Sequence, residues 1–403
     1  MNPFFDQLGS KVQERWQQQN FSLEAFPEIA KTAIDESLPS EAVDLEEMIH
    51  EFLINEAQPF QSESGFGQPE LIAYNHPRFY IQILFWLEGT TDVHQHEFSG
   101  AFHVMSGSSI HAEYEFDNAQ PVTPYLSVGD LRMKQIELLE TGRTVPIGSG
   151  RGCIHSLFHL DSPSVTVVVR THNDPGTGPQ FNYLPPHLAI DPIQTGADTL
   201  TMRRKQVLGV LETLGDPNYA ARVGEMVERL DFERGLSILM HAMEFLQEFD
   251  EWETVLGVFE KKHGDLAKGV AKTLEESSRR EVITRMRGYI EDPEHRFFLA
   301  LLMNVPARAD IFALISGRFP DRSPAETILG WAEELIEPTD FGLAILDAFF
   351  PETIDVPIQS QGEMIISALR NELESEVEGD GAPDELIEVS AVLKASSLGV
   401  LFD

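Results

Sequence analysis

The sequence predicts a protein of mixed β and α structure, in which a closed double sheet or β barrel is preceded and followed by helices. Between residues 69 and 174, short β-rich runs follow one another, separated by turn residues and without helical periodicity. Apolar residues recur at helical spacing before this region, in residues 1–60, and after it, in residues 200–403. A chain of 403 residues is long enough for more than one domain.

Residues 1–60 are predicted to form an N-terminal helical segment. Helical spacing of apolar residues is found in residues 4–18 and again in residues 41–55. In the second helix the apolar positions form one stripe, which consists of Leu45, Met48, Ile49, Phe52 and Leu53. Residues 58–68 are rich in Gln, Ser and Gly, so we expect a loop that leads into the β region.

Within the β region, several runs of alternating or β-branched residues are candidate strands. They are residues 110–116, 125–128, 131–138, 144–147 and 164–170. Asp117-Asn118 and Gly129-Asp130 are predicted to form turns between them.

The chain is predicted to leave the β region after Arg170. Residues 175–199 are rich in Pro and Gly and lack periodicity, so we interpret them as a linker, which also has the length to drape over the barrel mouth. The helices predicted after it cover residues 201–214, 219–230, 233–249, 251–262, 265–276, 279–290, 296–303, 309–315 and 324–336. Such helices, joined by short turns, favour a bundle or an irregular solenoid over residues 200–403. An acidic loop at residues 374–385 precedes a last helix at residues 385–398.

Histidines at two places in the β region are candidate metal ligands. His94 and His96 are two residues apart, so on a β-strand both imidazoles point to the same face. His155 opens a second apolar run further along the chain. Imidazoles from two strands of one sheet can bind a divalent metal together.

These residues resemble the two histidine motifs of the cupin superfamily. The similarity consists of His94-x-His96, Gly107 and Gly152-x-x-His155, with Gly129-Asp130 between them. Within the cupins, residues 83–89 (ILFWLEG) and 98–107 are most similar to cysteine dioxygenase and related thiol dioxygenases. The resemblance covers residues 69–174 and implies a jelly-roll cupin domain there.

The resemblance also implies a metal site. It makes His94, His96 and His155 the ligands of one ferrous ion, or of another divalent metal. Most cupins add a glutamate ligand at the position that Gly100 occupies here, but thiol dioxygenases also lack that glutamate. Glu97 follows His96 directly, so on a regular strand it points to the opposite face.

The sequence departs from cysteine dioxygenase where that family holds its substrate. Residues 68–75, the region of the family's carboxylate-binding arginine, contain no arginine. The family's Ser-x-His-x-Tyr on the last strand corresponds here to Thr166, Val168 and Arg170. Arg170 shares a strand face with Thr166, so it is either a replacement clamp or an exposed cap of the strand end. We therefore expect free cysteine to be a poor substrate.

Further residues near the motifs are candidates for substrate binding or for support of the ligands. His159 shares a strand face with His155. Three roles are open for it: a side chain that supports a metal ligand, an alternative ligand, or a partly buried histidine bonded to a backbone carbonyl group. Arg151 is a second candidate anchor for the substrate. His103 is a weaker candidate, and both His103 and His111 are expected to be structural or exposed. Cys153 is the single cysteine and is expected to fill a small apolar space.

Composition limits the partners that we expect. The 66 acidic residues outnumber the 29 basic ones, and the formal net charge of −37 repels phosphate backbones, so we expect no nucleic-acid partner. No apolar run is long enough to span a bilayer, and the first residues lack the pattern of a signal peptide. A single cysteine fits a reducing compartment, so we expect a cytoplasmic protein without a membrane partner.

Together these features predict a mononuclear non-haem iron dioxygenase that oxidises a thiol-containing or related small molecule with O2. One alternative is a non-catalytic cupin that serves as a binding or scaffold protein with a helical interaction domain. Another is a non-oxygenase cupin enzyme, an isomerase or lyase with a different divalent metal. The helical domain is expected to shape the barrel entrance, or to bind a protein partner or a second copy of the chain.

Overall fold

The computed structural model of the protein describes residues 3–61, 66–87, 91–336, 342, 358–374, 384–394 and 396–402. The chain begins with helices α1 (Pro3–Gln18), α2 (Phe26–Ser37), α3 (Pro39–Ala42) and α4 (Leu45–Ile54). The first predicted helix is present as α1, whereas the second is divided into α3 and α4, because Val43 between them is extended. Helix α2 was not predicted. The predicted apolar stripe of α4 is only partly buried, since Met48 is buried and Leu53 is 75% exposed.

The β region contains strands that are mostly short, apart from one long hairpin. They are β1 (Glu70–His76), β2 (Phe79–Trp86), β3 (Val93–His96), β4 (Gly100–Ser106), β5 (Ser108–Thr123), β6 (Leu126–Glu140), β7 (Thr144–Ile147), β8 (Gly150–His159), β9 (Ser164–Thr171), β10 (Asn182–Leu184) and β11 (Leu188–Ile190). One sheet has the order β1-β2-β9-β4-β7, and the other closes into a barrel in the order β10-β11-β6-β5-β8-β3. The predicted fold class, a β barrel with helical segments before and after it, is confirmed.

Alternation along the strands separates two apolar layers. On β2, the side chains of Phe79, Ile81 and Ile83 pack with α1 and α2 in one hydrophobic core, whereas Leu84 and Trp86 face the interior of the β region. Each strand therefore directs alternate residues toward the N-terminal helices and toward the space between the sheets.

Three predictions about the β region are wrong. The stretch 175–199 is not only a linker, because it contributes β10 and β11 to the barrel and β10 pairs directly with β3. Neither Asp117-Asn118 nor Gly129-Asp130 is a turn between strands, because the first pair lies within the long strand β5 and the second within the long strand β6. Gly129 is required there by close packing, since a Cβ atom would lie 2.7 Å from the backbone oxygen of Asp117.

The predicted helical region is present. It comprises α5 (Thr199–Leu214), α6 (Tyr219–Arg229), α7 (Phe232–Glu248), α8 (Trp252–His263), a 3-10 turn (Gly264–Ala267), α9 (Val270–Tyr289), α10 (Pro293–Asn304), α11 (Arg308–Arg318), α12 (Pro324–Leu335), α13 (Ile358–Glu374), α14 (Asp384–Lys394) and a second 3-10 turn (Gly399–Phe402). Helix α9 replaces two shorter predicted helices, because the residues between them continue the helix. Most of the predicted acidic loop, residues 375–383, lies outside the described residues.

Helices and barrel share their cores. Ile110, Phe158 and Leu160 of the β region belong to the same hydrophobic core as α9 to α14. The side chain of Arg287 in α9, which is buried, donates two hydrogen bonds to the backbone oxygen of His159. Arg296 of α10 donates to the backbone oxygen of Leu160. The C-terminal helices are thus fixed to β8, the strand that carries His155.

None of the helices described has both the length and the apolar composition that a membrane span requires.

Candidate metal centre

Two neighbouring strands bring the predicted ligands together. Strand β3 carries His94 and His96, which project to the same face because they are two residues apart. Strand β8 pairs with β3 in antiparallel register, with His155 directly opposite His94. The register shifts between Gln95 and His96, so that His96 pairs with Gly150. All three imidazoles are buried, and their exposed fractions are 2–4%.

The three rings form a compact cluster. The centroids of the His94 and His96 rings lie 4.6 Å apart, and the His155 centroid lies 4.9 Å from the first and 5.0 Å from the second. One nitrogen from each ring can be chosen so that all lie within 4.8 Å of one another. The Nε2 atoms of His96 and His155 are 2.9 Å apart, which matches the separation of about 3 Å between two nitrogens that bind one ion.

The hydrogen bonds of the cluster fit a bound cation. The Nδ1 atom of His94 lies 2.8 Å from the backbone oxygen of Asp92 and therefore carries the proton, which leaves a lone pair on Nε2. That Nε2 atom is buried and has no hydrogen-bond partner. Burial lowers the pKa of His94, His96 and His155, so the rings are neutral, the form that binds metals. An unpartnered lone pair beside two facing Nε2 atoms is what a divalent ion would satisfy.

His111 is a further histidine at this site, and it is buried rather than exposed. The sequence led us to expect a structural or exposed side chain, and His111 is 1% exposed, with its Nε2 atom 3.0 Å from Nδ1 of His155. Its own Nδ1 atom faces Oε1 of Glu137 at 3.7 Å. His111 lies on β5, next to β8 in the barrel, and this placement depends on a register that the sequence does not reveal.

A narrow cavity of about 30 Å³ lies beside the three imidazoles. Aromatic and aliphatic side chains form most of its wall, with the rings of Phe66, Trp86, Phe98 and Phe102 among them. Gln82, Thr91 and Thr166 contribute polar groups. The Oε1 atom of Gln82 is buried and has no hydrogen-bond partner, so this wall offers a free acceptor next to the histidine cluster.

The sequence resemblance places Gly100 at the position of a glutamate ligand, and the packing of β4 on β9 leaves no room for a side chain there. A Cβ atom on Gly100 would lie 2.2 Å from the backbone oxygen of Val169 on the paired strand β9. Glu97 does not replace the missing ligand, because its carboxylate accepts a hydrogen bond from Asn173 at 3.0 Å. The candidate ligands in the described structure are therefore three histidines without a carboxylate.

His159 and Thr166 support the cavity wall rather than join the cluster. The His159 ring stacks on Trp86 with centroids 4.8 Å apart, and its Nδ1 atom lies within hydrogen-bond distance of the hydroxyls of Ser109 and Ser164. Thr166 accepts a hydrogen bond from Nε1 of Trp86 at 3.1 Å. Both residues hold Trp86 in place, and Thr166 also lines the cavity.

Arg170 is neither a carboxylate clamp in the cavity nor an exposed cap of the strand end, the two roles predicted for it. It is partly buried, and its guanidinium lies 3.4 Å from the centroid of the Phe98 ring and 5.1 Å from that of Tyr80. Phe98 in turn lines the cavity, so Arg170 supports the wall from behind instead of reaching the cavity as a carboxylate clamp.

Arg151, His103 and Cys153 lie away from the cavity wall. The Arg151 guanidinium stands over the ring of Phe116, 5.5 Å from its centroid. His103 is buried on the opposite face of β4, where its Nδ1 atom is 2.9 Å from the Thr144 hydroxyl. Cys153 packs beside the interior core as predicted, and burial raises the pKa of its thiol to about 12.

Comparison with known proteins adds little to this geometry. No protein-family model matches the chain, and no curated protein matches it. Among solved structures it is similar to hydroquinone 1,2-dioxygenase from Sphingomonas sp. TTNP3 with 4-hydroxybenzoate bound, with 13% identity, a TM-score of 0.21, and coverage of 27% of this chain and 68% of that chain. It is also similar to the DMSP lyase DddQ from Ruegeria pomeroyi DSS-3, with 14% identity, a TM-score of 0.24, and coverage of 46% of this chain and 98% of that chain. Likenesses this weak carry no argument about function.

Proposed function

We propose that this protein is a metal-dependent enzyme of the cupin type, and that His94, His96 and His155 bind one divalent metal ion. The observation that carries the proposal is the Nε2 atom of His94, which is buried and has no hydrogen-bond partner. It belongs to the same compact cluster as the Nε2 atoms of His96 and His155, which lie 2.9 Å apart. Neutral imidazoles suit iron, zinc, copper and nickel. The resemblance of the sequence to thiol dioxygenases favours iron.

We further propose an oxygenase reaction on a small molecule, a thiol or a related compound. His94, His96 and His155 would hold a ferrous ion, which would supply the redox chemistry that amino-acid side chains lack. The chain itself supplies a buried, aromatic environment that excludes bulk water from the histidine cluster. Phe66, Trp86, Phe98 and Phe102 favour a substrate with an apolar body.

The polar groups of the cavity favour a particular way to hold that substrate. The free Oε1 atom of Gln82 accepts a hydrogen bond from a hydroxyl or N–H group of a bound molecule. Arg170 is occupied by its stacking on Phe98. We therefore expect the substrate to be anchored through a hydrogen-bond donor and an apolar body, an arrangement that differs from the arginine–carboxylate pair of cysteine dioxygenase.

The proposal is tested on protein purified without oxygen. Elemental analysis should find close to one iron per chain, and oxygen uptake should be screened over thiols, amino acids and aromatic compounds. Turnover without oxygen consumption would favour the isomerase or lyase alternative. A protein that binds no divalent metal would favour the binding or scaffold alternative and refute the enzyme proposal.

Single substitutions of the ligands test the site itself. Replacing His155 with Ala should abolish most metal binding, because two remaining imidazoles hold a divalent ion weakly. The measurement is metal content and Co(II) affinity of His155→Ala beside wild type, with His50→Ala, an exposed histidine of α4, as control. Full metal content in His155→Ala would show that the metal binds elsewhere.

A further inference from the structure

Three strands of the barrel align a carboxylate and two imidazoles. Strands β8, β5 and β6 lie side by side in the sheet, and their register places Glu137 of β6 opposite His111 of β5. His111 reaches Nδ1 of His155 at 3.0 Å with its Nε2 atom and faces Oε1 of Glu137 at 3.7 Å with its Nδ1 atom. Glu137, His111 and His155 therefore form one line of side chains. The line ends at Nδ1 of His155, whereas Nε2 of the same ring is the proposed metal ligand.

The protons along this line have one arrangement that leaves Nε2 of His155 free for a metal. His155 then carries its proton on Nδ1 and donates it to Nε2 of His111. His111 in turn carries its proton on Nδ1, the atom that faces Glu137. This Nδ1 atom has no hydrogen-bond partner in the described structure, so the Glu137 carboxylate attracts its proton by charge across 3.7 Å, and the same interaction lowers the pKa of Glu137.

Packing fixes the two rings as well. His111 and His155 are 1% and 2% exposed, so water does not compete for the hydrogen bond between them. The ring of Phe102 packs against both, with centroids 5.8 Å from His111 and 5.9 Å from His155. Glu137 is the outer end of the line, with 27% of its side chain exposed and a salt bridge of 3.3 Å to Arg143.

We propose that His111 and Glu137 are positioning residues of the metal centre, which fix the tautomer and the ring orientation of His155. This inference rests on the proposed metal site. A histidine ligand whose second nitrogen donates to a fixed acceptor is a stronger donor to the metal, and such outer partners typically contribute about 10–100-fold to metal affinity. The sequence offers no signal for this line, because its members come from three strands.

The test measures Co(II) affinity by competition with a chelator, together with the visible absorption of the Co(II)-loaded protein. His111→Leu should weaken binding by about 10–100-fold, and Glu137→Gln should weaken it less. In the double variant, Glu137→Gln should cause no loss of Co(II) affinity beyond that of His111→Leu alone, because Glu137 acts on the metal site only through His111. This lack of additivity distinguishes positioning from a general loss of stability.

Matched controls come from the same strands or the same residue type. Glu140→Gln changes an exposed carboxylate on β6, and His103→Leu changes a buried histidine that faces away from the cluster. Both should bind Co(II) within about twofold of wild type, since neither touches a ligand.

Each outcome decides a separate question. Wild-type affinity in His111→Leu, or a loss no larger than in His103→Leu, overturns the inference. If circular dichroism shows that His111→Leu does not fold, Glu137→Gln decides, and wild-type affinity there overturns it. A wild-type protein that binds no Co(II) overturns the metal site itself, whereas wild-type binding with unchanged variants overturns only the role of these two residues.

Discussion

Single residues fix the shape of the site, and Gly100 is the clearest case. Its hydrogen atom faces the backbone of β9, where even a methyl group would collide with the oxygen of Val169 at 2.2 Å. The strand packing therefore excludes a carboxylate ligand at this position, because no side chain fits there unless the strands move.

Gly100→Ala should destabilise the protein by about 3 kcal/mol, because β4 must move away from β9 to admit the methyl group. Gly224→Ala is the matched control, since, apart from its chain neighbours and the backbone of helix α6 itself, nothing described lies within 4 Å of the position that its methyl group would take, and alanine favours helices by about 0.5–1 kcal/mol. Urea unfolding of the two variants beside wild type measures both effects. Equal stability of Gly100→Ala and wild type would contradict the close packing.

His159 makes stability depend on pH. Burial, with a smaller contribution from Arg287, lowers its pKa from the ordinary 6.5 to about 3. The unfolded chain therefore binds a proton at this histidine as the pH falls below 6.5, whereas the folded protein binds it only near pH 3. The contribution of neutral His159 to the free energy of unfolding is thus complete above pH 6.5 and is lost as the pH falls toward 3. The slope for one such group is about 1.4 kcal/mol per pH unit.

Between pH 7.5 and pH 5.5, we therefore expect the free energy of unfolding of His159→Gln to fall by about 1.4 kcal/mol less than that of wild type. The measurement is the free energy of unfolding of the metal-free proteins at both pH values, which removes any effect of metal binding. His50→Gln, an exposed control, should retain the wild-type difference. An unchanged difference in His159→Gln would mean that this histidine is protonated in the fold.

At the scale of elements, the barrel around the histidines is completed by short strands that the sequence did not predict. Strand β10 pairs with β3, and Tyr183 of β10 donates a hydrogen bond of 2.5 Å to Oε1 of Gln95, between the two histidines. Gln95 also donates to the backbone oxygen of Pro179 at 3.0 Å. The segment interpreted as a linker thus holds β3 from the side opposite the cluster.

Tyr183→Phe should lower the free energy of unfolding by about 1–3 kcal/mol, because it leaves the buried oxygen of Gln95 unpaired. It should also weaken Co(II) binding, since Gln95 shares its strand with both histidines. Tyr125→Phe is the control, because Tyr125 is 39% exposed and its loss should change stability by less than about 0.5 kcal/mol. A Tyr183→Phe protein with wild-type stability and affinity would show that β10 does not support β3.

The sequence predicted elements whose signal is local and missed those that depend on pairing. Same-face spacing brought His94 and His96 together, and the motif that contains His155 indicated its partner strand correctly. Strand β10 is only three residues long, too short for alternation to distinguish it from a loop. His111 was missed for a related reason, because its contact with His155 depends on the register of β5 against β8.

At the scale of the whole molecule, the described helices and the barrel form a shared interior. Leu126 and Leu188 of the barrel pack in one core with α5 to α9, and Phe158 and Leu160 pack in another with the later helices. The buried side chain of Arg287 joins α9 to β8 through the backbone of His159. Separation of the two parts would expose apolar surface on both sides and break these two hydrogen bonds.

We therefore expect the barrel and the C-terminal helices to unfold in a single cooperative transition, although the sequence indicates separate domains. Calorimetric and van't Hoff enthalpies should agree, and helical circular dichroism should melt together with the near-ultraviolet signal of the buried Trp86. Phe158→Ala should cost about 3–5 kcal/mol and lower both melting signals equally, because its ring lies in the core that strands and helices share. Leu53→Ala, in an exposed position of α4, should shift neither. Two resolved transitions, with only one of them sensitive to Phe158→Ala, would mean that the shared core does not couple the barrel to its helices.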